Sequence, residues 1–223
     1  MIITQSEIDA ICRNIYKNTS KCSPITHLLG EEFGFEILMG PPFIKAPILF
    51  LGYQPGNWDL SIEKARSVGY EKDWVVREKS QYATACWPLA KKLKKIFEKE
   101  NMPLLEQSVG LNAIYVRARN IHEYKKSVSP EDRKLIQNYC LKCNQEIIQL
   151  IKPKKMIVIG FGAMDVFGPS TADLLSHDNR CLTKLGSIFD HDTLAVRHLT
   201  GARFKTSDYD LTVQRVKKFL EIS

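Results

Sequence analysis

Three stretches of this chain carry side chains suited to holding a polar heterocycle and assisting the departure of a negatively charged group. Gly52-Tyr53-Gln54-Pro55-Gly56 follows the apolar run Ala46–Leu51, Asn112 lies inside Val109–Val116, and His198 follows the run Thr193–Arg197. A carboxamide offers two donors and an acceptor on one plane, so Asn112 can read the edge of a ring. A neutral imidazole can aim a donor at an oxygen where charge develops, which is the chemistry His198 offers. Gln54 can hold a water, but it cannot take a proton as a carboxylate would. Each has a plainer reading: a surface histidine, an asparagine tying two strands, and a Pro-Gly turn pair.

These residues gain meaning from the elements that would position them. Ala46–Gly52, Val109–Val116, Lys155–Gly160 and Thr193–Arg197 read as short buried strands. Between and around them, 5–18, 86–99, 130–151 and 208–221 read as helices, with a short one opening at Gly162-Ala163. Helix 86–99 would bury Leu89, Leu93, Ile96 and Phe97 beneath a lysine-rich face. Ser129 as cap, Pro130 at the first helical position and Pro153 as terminator frame the longest helix. The alternation predicts one α/β domain over residues 1–223, a three-layer α/β/α sandwich with a central four-stranded parallel sheet. Ligands of such sheets sit outside the carboxyl ends of the strands, where the three stretches fall.

Bulk composition narrows the partner. The chain has 223 residues and a formal net charge of +7, which suits an anionic partner, although a basic enzyme without nucleic acid has the same balance. No stretch reads as a secretory leader or a membrane span, so a cytoplasmic or nuclear location is expected, without secretion. Six scattered cysteines read as free thiols. Cys140 and Cys143 form a C-x-x-C without a second pair, so no metal is expected and the two read as thiols on a helix face.

The motifs resemble those of the uracil-DNA glycosylase superfamily. ILFLGYQPGNWD (48–59) resembles its first motif, LNAIYVRARN (111–120) its second strand, and TLAVRHLTGAR (193–203) its closing motif. The stretch 129–163 is similar to its helix–Pro–strand–Gly–Ala unit, so the resemblance runs in order from about 48 to 205. In motif style the chain is closest to the mismatch-directed and single-strand-selective branches. The resemblance implies a monomeric, cofactor-free DNA glycosylase of base excision repair that extrudes a damaged base and hydrolyses its glycosidic bond. Asn112 would read the base, His198 would stabilise the leaving anion, and Gln54 would position water. Gly52, Tyr53 and Gly56 would line the base pocket, and Tyr70, with Trp58 or Trp74 as alternatives, would stack on the base. Thr200, Gly201 and Arg203 would contact DNA, and Arg117, Arg119, Lys125 and Lys126 would track its backbone.

The chain departs from the family pattern in four places. Gln54 stands where the family has Asp or Asn, with Asp59 as a substitute charge or a helix cap. Gly56 stands where the most uracil-selective branch has tyrosine, implying a roomier pocket. Leu199 and Thr200 replace Pro and Ser. The cysteines of the iron–sulfur branch are not matched: Cys12 and Cys22 are too far apart, and Val116 stands at a ligand position. These departures leave two rivals, a non-catalytic protein that binds nucleic acid or free base, and a small-molecule enzyme on a similar sheet.

Overall fold

The computed structural model describes residues 3–19, 21–22, 35–56, 78–118, 120–168, 171–200 and 205–222. Within them the chain is a mixed α/β structure. The strands are β1 Ile48–Gly52, β2 Val109–Asn112, β3 Lys155–Ile159, β4 Thr171–His177, β5 Arg180–Ile188 and β6 His191–Val196. The helices are α1 Gln5–Thr19, α2 Gln81–Thr84, α3 Pro88–Ile96, α4 Glu98–Glu106, α5 Ile121–Ser127, α6 Pro130–Ile151, α7 Phe161–Phe167 and α8 Thr206–Leu220.

The six strands form one sheet in the order β2-β1-β3-β6-β5-β4. The first four run parallel, while β5 is antiparallel to β6, and β4 to β5. This corrects the expected four-stranded parallel sheet: its four strands are present, but an antiparallel hairpin extends the sheet to a mixed one. Two turns build that extension. Asp178-Asn179 has φ of 48° and 59°, and Phe189-Asp190 has 47° and 64°. Two consecutive positive φ values are what a tight type I′ hairpin requires, and Asn and Asp tolerate them best.

Alternation along the parallel strands divides the core between two faces. Leu49, Leu51, Met156 and Val158 pack with Ile8 and Cys12 of α1 and Ile147 and Ile148 of α6. Ile48, Phe50, Ile157 and Ile159 pack on the other face with Leu93 and Ile96 of α3 and Val216 of α8. Helix α6 has the bounds its end signals predict. The Ser129 hydroxyl accepts from the Asp132 N–H at 3.1 Å, and Lys152 closes the helix in the left-handed region. Cys140 and Cys143 lie buried on this helix, as thiols on its inner face.

Two expected elements change. Helix 86–99 divides at Phe97, which is fully buried edge-on to Phe50 at 6.1 Å. Glu98 turns the chain there with a φ of 27°, and α4 then buries Leu105. Strand β2 ends at Asn112 instead of Val116. Beyond it, residues 113–116 are zipped on two sides. Ala113 N–H donates to the Gly52 carbonyl and Ile114 N–H to the Tyr53 carbonyl, both at 2.8 Å, while the Tyr115 carbonyl accepts from Glu36 N–H at 2.9 Å. The segment around Phe35–Met39 thus covers the outer edge of β2, which leaves fewer strand donors and acceptors open there. Among the described residues no helix is long and apolar enough to cross a membrane.

Candidate functional site

A cavity of about 880 Å³ opens at the carboxyl ends of the parallel strands. Gly52, Tyr53, Gln54 and Gly56 line it from the loop after β1, Asn112 from the end of β2, and His198 and Thr200 from the segment after β6. Three stretches separated by up to about 140 residues therefore meet at one rim.

Asn112 is placed by the sheet register, directly opposite Gly52. Its side chain is buried at 2% exposure, and its Nδ2 has no hydrogen-bond partner among the described residues. A buried amide N–H without an acceptor costs about 1–3 kcal/mol, so Asn112 is held here at a cost in stability. At Gly52 the constraint is the neighbouring side chain rather than the backbone. A Cβ there would come within 2.9 Å of Asn112 Oδ1.

Gln54 is held from behind. Its Nε2 donates to the Ala118 carbonyl at 3.1 Å. That bond settles the orientation of the amide, because only the nitrogen can donate to a carbonyl. The carbonyl oxygen, Oε1, is left buried and without a partner among the described residues. Gln54 thus lines the cavity as a neutral amide, where a carboxylate would bring a charge.

His198 lies against Gly160, where a Cβ would sit 3.6 Å from its ring. The Thr200 N–H approaches His198 Nδ1 at 3.4 Å and the Thr200 hydroxyl at 3.0 Å. A backbone N–H can only donate, so Nδ1 is the acceptor and the neutral ring carries its proton on Nε2. The ring keeps solvent-accessible surface, yet the protein around it disfavours the charged form and lowers its pKa from the ordinary histidine value. Thr200 therefore stands as the partner of His198. Leu199 is buried at 3% exposure and anchors the segment in the core through its side chain.

Gly56 needs neither positive φ nor close packing, since a Cβ there would meet nothing within 4 Å among the described residues. Its lack of a side chain leaves open space at the cavity. Tyr53 is half-buried beside Gly162, and burial raises its pKa. Tyr70, Trp58, Trp74, Asp59, Arg119, Gly201 and Arg203 lie outside the described residues.

The structure adds residues that the sequence did not single out. Trp87 and Tyr82 line the cavity and meet edge to face at 6.3 Å. Glu36 forms an ion pair with Arg117 at 2.5 Å, and both line the cavity. This corrects the expectation that Arg117 tracks a DNA backbone, because the residue is buried at 8% exposure and neutralised by Glu36. Asn144, fully buried on α6, donates from Nδ2 to the Asn112 carbonyl at 3.0 Å. Its only sequence signal is an asparagine on an otherwise apolar helix stripe between Cys140 and Ile148. Among the described residues no group of three or more His, Cys, Asp or Glu side chains is placed to hold a metal ion. Compared with protein-family models and with curated proteins, the chain matches none.

Proposed function

We propose that the chain is a DNA glycosylase of the uracil-DNA glycosylase type, acting on uracil or a related deaminated base. One observation carries the reading: Asn112, Gln54 and His198 line a single cavity at the strand ends, and the Asn112 amide nitrogen and the Gln54 carbonyl oxygen have no hydrogen-bond partner among the described residues. Asn112 Nδ2 donates to O4 of an extruded uracil, and Oδ1 accepts from N3–H. His198 donates from Nε2 to O2 as the C1′–N1 bond breaks and its electron pair moves onto the base. Gln54 Oε1 accepts a hydrogen bond from the water that adds to C1′, and the proton of that water passes to solvent. The basic balance of the chain favours a polyanionic substrate.

A second reading has its own support. Among the described residues Glu36 is the one carboxylate lining the cavity, and Arg117 neutralises it. With Gln54 uncharged, the described residues of the site include no free anion to steady a sugar cation. A protein that binds an extruded or free base without cleaving it fits that arrangement. Incubation with single- and double-stranded oligonucleotides carrying uracil or hypoxanthine, or a thymine mismatch, separates the two. Abasic product that is lost with Asn112→Ala and His198→Ala upholds the glycosylase. Base binding without product, with product appearing only in Gln54→Asp, upholds the binder. Absence of both base binding and salt-sensitive DNA affinity overturns both and favours an enzyme of small molecules.

A further inference from the structure

We infer that Asn144, in the middle of α6, is a positioning residue that sets the aim of the Asn112 carboxamide. The inference rests on the base-binding role proposed for Asn112. Asn144 is fully buried, which is costly for an amide unless its bonds are met. They are met by the backbone that carries Asn112. Nδ2 donates to the Asn112 carbonyl at 3.0 Å and lies 3.5 Å from the Ala113 carbonyl, and Oδ1 accepts from the Tyr115 hydroxyl at 3.0 Å. Tyr115 is itself fully buried. The Asn112 side chain has little else to hold it. Its Nδ2 is unpartnered among the described residues, and its Oδ1 lies in space that a side chain at Gly52 would take. Ala113 N–H and Ile114 N–H tie the same two peptide planes to the Gly52 and Tyr53 carbonyls on one side, and Asn144 receives their carbonyls on the other. Asn144 pins that turn to the longest helix of the fold and thereby fixes where the reading amide points.

The position therefore acts on selectivity as well as on folding. A merely structural asparagine, when replaced, lowers the folded fraction but leaves the folded molecules with the same preference between bases. A positioning residue changes the preference itself. The test compares the binding of free uracil and free cytosine to the wild-type chain, Asn144→Ala, Asn144→Ser and Tyr115→Phe, each corrected for folded fraction. It adds the Asn112 side-chain amide resonances of each variant, read by NMR without ligand.

A fall of about tenfold in the uracil-to-cytosine ratio is expected for Asn144→Ala, in line with the cost of small misplacements at a reading group. Asn144→Ser should recover part of it, and Tyr115→Phe should lose less. The paired Asn112 amide resonances should broaden or shift in the same order. An unchanged ratio with unchanged Asn112 resonances overturns the positioning role. Should the wild type bind neither base, the base-binding reading fails, and the Asn112 resonances alone still decide whether Asn144 holds that side chain. If Asn144→Ala does not fold, Tyr115→Phe and Asn144→Ser carry the same comparison.

Discussion

The two halves of the sheet solve different problems. In β2-β1-β3-β6 every strand points the same way, so four carboxyl ends share one rim, and Gly52, Asn112, Ile159 and the segment entering His198 all open onto the cavity. In β6-β5-β4 the direction alternates, so neighbouring ends fall on opposite rims, and among the described residues none of β4 or β5 lines that cavity. A parallel sheet gathers distant residues at one edge and needs buried crossovers to do so. The hairpin uses local turns and adds width to the sheet. Site residues should therefore be sensitive in activity and hairpin residues in stability.

The largest expected effect lies at the rim. If Asn112 reads the base as proposed, Asn112→Ala should lower uracil release at least about a hundredfold, since a site built around hydrogen bonds to its substrate loses most when they go. Its thermal midpoint should change little or rise, because the variant also removes an unpartnered buried donor. A loss of activity that merely tracks a loss of folded protein would erase the contrast between the two halves.

His198→Ala comes next, with kcat falling roughly a hundredfold if the Nε2 donor stabilises the leaving base. The pH dependence sharpens the point. In the fold this histidine titrates below its ordinary value because the protein disfavours the charged ring. Activity should therefore hold down through the usual histidine range and fall only below it, where a proton on Nδ1 would oppose the Thr200 N–H. Stability has the matching sign. The unfolded chain binds more protons at this residue, so the fold loses stability as pH drops from the unfolded value toward the lower folded one. His198→Gln should flatten that part of a denaturant-midpoint profile against pH.

Gly52→Ala should cost about tenfold in activity, because its new methyl and Asn112 Oδ1 cannot both keep their places at 2.9 Å. The backbone itself accepts alanine, since φ at Gly52 is not positive. A crystal structure showing Asn112 unmoved in an active Gly52→Ala would remove that glycine from the site.

How much of this was legible in the sequence follows the same division. The parallel strands are nearly continuous apolar runs ending in Gly or Asn, so ILFLG and KMIVI declare themselves from composition alone. The meeting of residues 54, 112 and 198 at one rim follows from the parallel rule, whereas the order β2-β1-β3-β6 does not. The hairpin is half-buried, with β5 running through intermediate and buried positions without a clean alternation, and its apolar content is too thin to signal a strand. Asp178-Asn179 was its one local mark. The Glu36–Arg117 pair and the Asn144 anchor join residues far apart in the chain, and neither pairing leaves a periodic trace. The break at Phe97 is a tertiary decision, since an aromatic sinking against Phe50 overrides a helical lysine pattern.

The smallest effect belongs to the hairpin and is the control for the rest. Asn179 holds a φ of 59° at the tip of β4–β5, a conformation that asparagine accepts and alanine resists. Asn179→Ala should cost about 1 kcal/mol of stability by denaturant midpoint, and Asn179→Gly should cost less or nothing. Neither should change the rate of base release per folded molecule, because no described residue of β4 or β5 lines the cavity. Were Asn179→Ala to slow the reaction while its midpoint stayed at the wild-type value, the hairpin would be a contributor to the site, and the separation of the sheet into a chemical half and a structural half would fall.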